Sequence, residues 1–451
     1  MNNKRILYLS AGTLTLLFLG LIYAWSIFRN PLTLIYKDWT ATQISMTFTV
    51  SIVFFCLGGF TAGKLAAKLK HRIVLLISAA FIFTGFMMIA LLLDASAPTR
   101  SLWVLYIFYG MFGGGGVGLA YNTLIGVITR WFPGRTGMAS GVLLLGFGIG
   151  GIALGSLVNV FIKHISIGTI FAILGILIAI VLFIASFIIK APVAASIPPG
   201  ARSNNDTNVS PVARSDNDTG VPPGAHGDAA AEAADTANVA HGKTAVEAAK
   251  PAIRNFRLGE ATAKPPFWML FLWNVFMCVG GLLVINSAAP IASRYGIAAA
   301  LGLIVSLFNG VGRPLLGTLF DIIGRRNAMT LNTLIMLLGG IVLLTGAMTE
   351  SAVLIFIGLP LIGTSYGGTT SLLSAVINKF YGPQNFQVIL ATATFGFAVA
   401  GVTGPLLSSR LQEAAGGEYF TSFVMVIVTS LIAFILNLLM TVFSRRAGLE
   451  D

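Results

Sequence analysis

Charge is scarce in this sequence, and acid is scarcer than base. Only 10% of the 451 residues are charged, with 16 Asp and Glu against 28 Lys and Arg, while 56% are hydrophobic. A chain with long apolar runs and so few charges is not a soluble globular protein, and the runs read as membrane-spanning helices. Cysteine is limited to Cys56 and Cys278. Both fall inside apolar runs, in different halves and without metal-ligand spacing, so they read as small core residues. No nucleophile–base pair and no metal cluster is spaced for chemistry, so neither an enzyme nor a bound metal or cofactor is expected. The net charge of +12 fits positive charge retained on the cytoplasmic side of a membrane better than nucleic-acid binding.

What is present is a series of apolar stretches. The first runs from Ile6 to about Phe28, behind Lys4 and Arg5. It is too long for a signal-peptide core and lacks a small-residue cleavage site, so it is expected to stay as helix 1. Others follow at 41–62, 73–93, 102–129, 136–160 and 167–189, and after a polar gap at 266–291, 297–320, 328–348, 352–378, 386–408 and 420–443. This predicts an all-α membrane protein with twelve transmembrane helices in two six-helix halves. The connections on one side carry Lys4, Arg5, Lys64, Lys68, Lys70, Arg72, Arg130, Arg135, Arg325, Arg326, Lys379, Arg445 and Arg446. Those on the other carry Arg29, Lys37, Arg100, Lys163, Arg294 and Arg410. Thirteen against six places the first set in the cytoplasm, with both termini there.

The expected organisation is an N-terminal half over 1–190, a flexible cytoplasmic tether over 191–265 and a C-terminal half over 266–451. The tether is rich in Ala, Asn, Asp, Gly and Pro and cannot bury a core. It repeats itself, since Ala201-Arg-Ser-Asn-Asn-Asp-Thr-Asn-Val209 returns as Ala213-Arg-Ser-Asp-Asn-Asp-Thr-Gly-Val221. The halves also resemble each other: Gly63 to Arg72 after helix 2 lines up with Gly317 to Arg326 after helix 8. Two parallel repeats joined by a long loop describe a transporter whose halves rock about a central site.

The chain is organised around Asn309-Gly-Val-Gly-Arg313-Pro-Leu-Leu-Gly317-Thr-Leu-Phe-Asp321-Ile-Ile-Gly324-Arg325-Arg326. Arg313 precedes Asp321 by two turns, roughly 12 Å of helical rise. That is deep in a hydrocarbon core about 30 Å thick, where an ionised side chain is a functional-site hypothesis by default. Counting the acids sharpens it. Eight lie in the tether, five in external connections, and Asp321, Glu450 and Asp451 at the cytoplasmic edge. No Asp, Glu or His lies mid-helix, so the counter-ion of Arg313 must come from outside the protein. A small carboxylate matches the guanidinium fork. Glycine runs are read as packing: Gly146-Phe-Gly148-Ile-Gly150-Gly151 satisfies G-x-G-x-x-G but lies inside a helix with no strand before it.

The segment Gly317-x-x-x-Asp321-x-x-Gly324-Arg325-Arg326 resembles the cytoplasmic loop signature of the major facilitator superfamily. In that loop Gly317 lets a neighbouring helix approach and Asp321 can accept hydrogen bonds from a helix N-terminus. Arg325 and Arg326 are expected to hold the loop at the headgroups. The first-half copy has Ala67 in place of the acid and Lys70 in place of the glycine, so the second half is expected to carry most of the inner latch.

Further motifs narrow the resemblance. Tyr23-Ala-Trp25-Ser-Ile-Phe-Arg-Asn-Pro31, Arg130-Trp-Phe-Pro-Gly-Arg-x-Gly-x-Ala-Ser-Gly141, Gly280-Gly-Leu-Leu-Val-x-Asn-Ser287 and Asn309-Gly-x-x-Arg313-Pro look like the oxalate/formate antiporter family, relatives of the monocarboxylate carriers. The resemblance implies an organic-anion carrier in the plasma membrane of a prokaryote, with Arg313 binding the carboxylate between aromatic walls. Tyr23, Tyr121 and Tyr366 fall at matching aromatic positions, and Phe147 stands where a tyrosine is expected. The oxalate carrier of that family has a lysine in helix 11, where this chain has Ala393; the departure favours monocarboxylates such as formate, lactate or pyruvate. The related monocarboxylate carriers have an Asp where this chain has Asn309. The expectation is therefore a monomeric secondary transporter of small monocarboxylates, an antiporter or cotransporter, in contact with membrane lipid and not nucleic acid. The alternatives are a dicarboxylate exchanger and a transporter-like carboxylate sensor.

Overall fold

The computed structural model describes residues 2–21, 25–162, 164–192, 255–285, 287–298, 304–414 and 419–449. Every regular element among them is helical. In chain order they are α1 (Asn2–Leu19), α2 (Trp25–Ile35), α3 (Ala41–Leu65), α4 (His71–Leu92), α5 (Pro98–Val104), α6 (Gly114–Ile128), α7 (Thr136–Phe161) and α8 (Ile167–Ile188). After the gap come α9 (Leu258–Thr262), α10 (Pro265–Ile285), α11 (Ala288–Arg294), the 45-residue α12 (Ile304–Met348), α13 (Ala352–Tyr381), α14 (Phe386–Ala414) and α15 (Phe420–Arg446).

Ten of the described helices are long and apolar enough to cross a membrane. One of the ten is α12, which is two crossings joined at Gly324, where φ is 79° and ψ 172°. That backbone is open to glycine and strained for other residues, so the chain turns there without a loop. With α1 and α2 taken together as one more, the described helices are enough for twelve crossings. Helix positions agree with the apolar stretches, but three details differ. Helix 1 is described as α1 and α2, on either side of residues 22–24, with Pro31 inside the second. Helix 4 runs on through a wide-turned stretch, Leu105–Gly113, between α5 and α6. Helix 7 divides into α10 and α11, and helix 8 is described from Ile304 onward. Hydropathy registers apolar content and is blind to such breaks.

Within the first half, α3 packs on α6, α4 on α8 and α1 on α7; within the second, α10 packs on α15 and α14, and α12 folds back on α13. The halves meet along two seams, α3 against α14 and α7 against α12. Residues 193–254 of the expected tether lie outside the described set. Its final part is folded, which shortens the flexible segment expected over 191–265. Phe256 N donates to Tyr381 O at 3.0 Å and Asn385 Nδ2 donates to Phe256 O at 2.8 Å. Glu260 closes the first turn of α9 by accepting from Arg257 N at 2.8 Å. Ala261 is fully buried, and Lys264 Nζ donates to Ala447 O at 3.2 Å.

Candidate functional site

Arg313 sits at the crossing of α7 and α12 and is 1% exposed. Its Nη1 donates to Leu144 O of α7 at 2.9 Å, and its Nε and Nη2 both face Asn309 Oδ1, one turn earlier, at 3.4 Å. A guanidinium carries five N–H donors. Three are used, two of them at long range, and the side chain makes no ion pair with any described residue. Gly148 makes room for it: a Cβ at 148 would lie 3.0 Å from Arg313 Nε and 3.2 Å from Cζ. The neighbouring glycines of the same run serve packing, with Gly146 and Gly150 against the α1 carbonyls of Thr13 and Leu17. The run is thus split between two jobs, and only the packing one is visible in the sequence.

Arg313 opens on a tight cavity where the two halves face each other, with about 20 Å³ of room for a water-sized molecule. Phe55, Tyr121 and Phe147 of the first half form one wall. Phe55 stacks on Phe147 with centroids 6.0 Å apart and meets Tyr121 edge-on at 5.0 Å. Asn274, Thr370, Leu373, Ser374, Leu390, Thr394 and Phe397 of the second half complete it. The Arg313 guanidinium carbon lies 5.9 Å from the Phe147 centroid, within cation–π range.

Of the expected substrate-binding residues, Arg313, Tyr121 and Phe147 come together here. Asn309 stands behind the arginine as its acceptor and does not line the cavity. Tyr366 is 1% exposed and lies behind Phe397, at 6.5 Å between centroids, with its ring against Gly281. This corrects its placement in the aromatic wall: the wall position on that side belongs to Phe397. Tyr23 lies outside the described residues. Ala393 is fully buried and flanks the lining residues Leu390, Thr394 and Phe397 on α14. The cavity residues that the sequence reading missed, Phe55, Asn274 and Phe397 among them, are ordinary apolar or amide positions in apolar helices. Only Asn274 carries a signal, as a polar side chain deep in α10.

Toward the side bearing the basic turns, the α7–α12 seam tightens. Gly137 and Gly317 face each other so closely that a Cβ on either would strike the other's carbonyl oxygen. That approach brings Asp321 to the start of α7. Gly137 N donates to Asp321 Oδ1 at 3.1 Å and Met138 N to Oδ2 at 2.7 Å. A carboxylate from one half thus caps the positive end of a helix from the other. Gly324 supplies the turn that follows, and Arg326 is exposed. Arg325 is not at the headgroups as expected. It is fully buried, with Nη1 donating to Asn437 Oδ1 at 3.3 Å, Nη2 to Thr441 Oγ1 at 3.0 Å, and Phe380 beneath it at 5.3 Å. It ties the turn to α15 within its own half.

The other seam has the same glycine approach without the acid. Gly63 lies against the backbone of Val388 at the start of α14, and Ala67 leaves that helix without a capping carboxylate. A clasp of amides stands there instead. Asn122 Nδ2 donates to Gly59 O at 2.7 Å and to Gln387 O across the seam at 2.9 Å. Gln387 Nε2 returns toward Asn122 O and Thr123 O, both at 3.4 Å. The sequence reading did not identify this pair.

Comparison with known proteins agrees with this architecture. The profile of the Major Facilitator Superfamily matches residues 11–405. The chain is 25% identical over 449 residues to the oxalate:formate antiporter of Oxalobacter formigenes, covering 97% of this chain and 91% of that protein. It is 23% identical over 403 residues to YhjX, an uncharacterized MFS-type transporter of Escherichia coli (strain K12), covering 88% and 86%. Among solved structures, the proton:xylose symporter XylE bound to 6-bromo-6-deoxy-D-glucose superposes with a TM-score of 0.69 at 13% identity over 98% of this chain and 96% of that one. FucP in the outward conformation gives 0.62 at 10% identity over 97% and 99%. Those two share the fold alone. With helices enough for twelve crossings in two halves, a central cavity and a profile match over most of its length, this chain is a multi-pass membrane protein that belongs to the Major Facilitator Superfamily.

Proposed function

We propose that this protein is a secondary transporter of small monocarboxylates that works by alternating access, exchanging one anion for another. The observation that carries the reading is Arg313: a buried cation on the central cavity, with no acidic side chain in reach among the described residues. A permanently charged group buried without a counter-ion is costly, and a carboxylate from solution relieves that cost. The remaining wall is apolar and aromatic, which suits an anion with one charged end. Similarity to an oxalate:formate antiporter supports the anion class, and the single cation of this cavity supports a monoanion over a dianion.

On this reading Asn309 orients the guanidinium, and Tyr121 and Phe147 enclose the ligand. Gly317, Asp321 and Gly324 form the inner latch, with Arg325 bracing it from within its half and Arg326 at the headgroups. The basic turns then face the cytoplasm, both termini lie inside, and the carrier acts as a monomer in the plasma membrane. Residues 193–254 join the halves as a tether.

Uptake of labelled formate, lactate and pyruvate into proteoliposomes tests this. Saturable flux is expected for the wild-type chain. Arg313→Gln should abolish it, and Arg313→Lys should retain little, because an ammonium lacks the planar fork. Wild-type flux in Arg313→Gln would overturn the site assignment. Carboxylate binding without any flux from the purified chain would favour a sensor over a carrier.

A further inference from the structure

One buried polar atom of the cavity wall has no hydrogen-bond partner among the described residues. Asn274 lies in α10, is 1% exposed and lines the cavity that Arg313 opens on. Its Oδ1 accepts from Cys278 Sγ, one turn on, at 3.6 Å, and its Nδ2 has no acceptor. Leaving a buried donor unsatisfied costs free energy, and such atoms are rare in folded proteins. The opposing helix packs closely over this one. Gly396 of α14 faces it, and a Cβ there would come within 2.9 Å of Nδ2. Asn274 is thus a buried donor on the wall of a cavity already holding a cation in need of an anion.

The other polar groups of the wall differ from it. Thr370 and Thr394 have committed their hydroxyl hydrogens, at 2.8 Å each, to the carbonyls of Gly367 and Leu390. Tyr121 and Ser374 carry rotatable hydroxyls that can either donate or accept. Nδ2 of Asn274 can only donate, so it calls for an oxygen on the ligand. The two unused N–H groups of Arg313 suit the two oxygens of one carboxylate. An acceptor for Asn274 is then left to the rest of the molecule, and in a small acid the nearest place for it is the carbon beside the carboxylate.

We propose that Asn274 is a specificity-determining residue: its Nδ2 donates to an oxygen on carbon 2 of the bound acid, so that the preferred cargo is a 2-oxo or 2-hydroxy monocarboxylate. The proposal rests on the carboxylate reading of Arg313 given above. It assigns pyruvate-like and lactate-like acids to the site ahead of formate or unsubstituted acids.

The test uses pyruvate, lactate and propionate, which share a three-carbon skeleton and differ at carbon 2. Their competition against labelled substrate is measured with the full chain in proteoliposomes. The wild-type protein should bind pyruvate and lactate at least about tenfold more tightly than propionate, the scale of one buried hydrogen bond to the ligand. Asn274→Leu, similar in size and without a donor, should erase that preference, leaving the three acids within about twofold of one another. Asn274→Ser, smaller and still a donor, should retain part of the preference, and it replaces the leucine variant if that one fails to insert. A wild-type protein indifferent to the carbon-2 oxygen would overturn the proposal, as would an Asn274 variant that weakens all three acids equally. If Arg313→Gln loses all three acids while Asn274→Leu keeps the wild-type preference, the specificity assignment falls and the carboxylate reading stands. If none of the acids binds the wild-type chain, both fall.

Discussion

Replacing Asp321 by Asn removes one charge and one acceptor from the only acid that bridges the halves among the described residues. In the wild type its two oxygens take hydrogens from Gly137 N at 3.1 Å and Met138 N at 2.7 Å, the second and third residues of α7. Each is a hydrogen bond to an ionised group, worth roughly 1.5–3 kcal/mol when buried. The carboxylate also faces the helix dipole, worth about 0.3–1 kcal/mol more. The substituted amide would keep one acceptor oxygen, and the site is only half-buried, so solvent replaces part of what is lost. The net loss for the closed inner side is then about 2 kcal/mol, close to a thirtyfold change in the open-to-closed ratio.

That shift can be read by thiol accessibility. Cys56 and Cys278 are the two cysteines of the chain, so a variant with both replaced is a clean background. A single cysteine is then placed at Ala391, which lies on the α14 side of a small void lined also by Asn122. A membrane-impermeant thiol reagent added from the basic side should label it about thirty times faster in Asp321→Asn than in the parent, in proportion to the open population. Labelling at the parental rate, in a variant that inserts normally, would mean that Asp321 does not hold this side closed. The amide clasp between Asn122 and Gln387 would then carry the closure by itself.

Two further substitutions probe the cavity. Gly148→Ala puts a methyl 3.0 Å from Arg313 Nε; it should displace the guanidinium and weaken carboxylate binding about tenfold or more, with little change in thermal stability without ligand, and a binding curve identical to wild type would refute the close approach. Ala393→Lys places a second cation beside Leu390 and Phe397, and it should lower monocarboxylate exchange and raise affinity for a dianion such as oxalate. Unchanged selectivity in a folded variant would show that position 393 does not reach the substrate.

The crossings, the deep cation and the bridging acid were legible because each leaves a mark in composition. A run of about twenty apolar residues is long enough to span, and a lone Arg inside one has no soluble explanation. Asp321 was legible because its spacing from Gly317 and Gly324 belongs to a loop signature. What was not legible depends on which way a side chain points. Arg325 and Arg326 are adjacent and chemically identical, yet one is buried against α15 and the other exposed, a difference fixed by the turn at Gly324. Tyr366 occupies an aromatic position implied by the resemblance, but its ring lies against the bare backbone of Gly281 and does not line the cavity. Asn122 and Gln387 lie 265 residues apart and read as isolated polar residues until the fold brings them together.

The bond from Arg313 to Leu144 O bears on coupling, because it crosses the α7–α12 seam at the cavity. Alternating access requires the halves to rotate about that region. In the empty carrier, rotation weakens one of the three contacts that solvate the guanidinium, and no anion replaces it. Moving a poorly solvated cation through an apolar passage carries a desolvation penalty, whereas a bound monoanion travels with the cation as a neutral pair. The loaded carrier should therefore reorient faster than the empty one. Proteoliposomes loaded with labelled substrate test this directly, since efflux into buffer requires the empty form to return and efflux against unlabelled substrate does not. Exchange should exceed net efflux by about tenfold or more, corresponding to about 1.4 kcal/mol between the two return steps. Proton cotransport would instead need a titrating group to discharge the cation's partner, and Asn309 beside the arginine cannot ionise in that range. Equal rates of net efflux and exchange would refute the coupling argument while leaving Arg313 as the binding residue, because the penalty for the empty cation would then be met by some other group or by water.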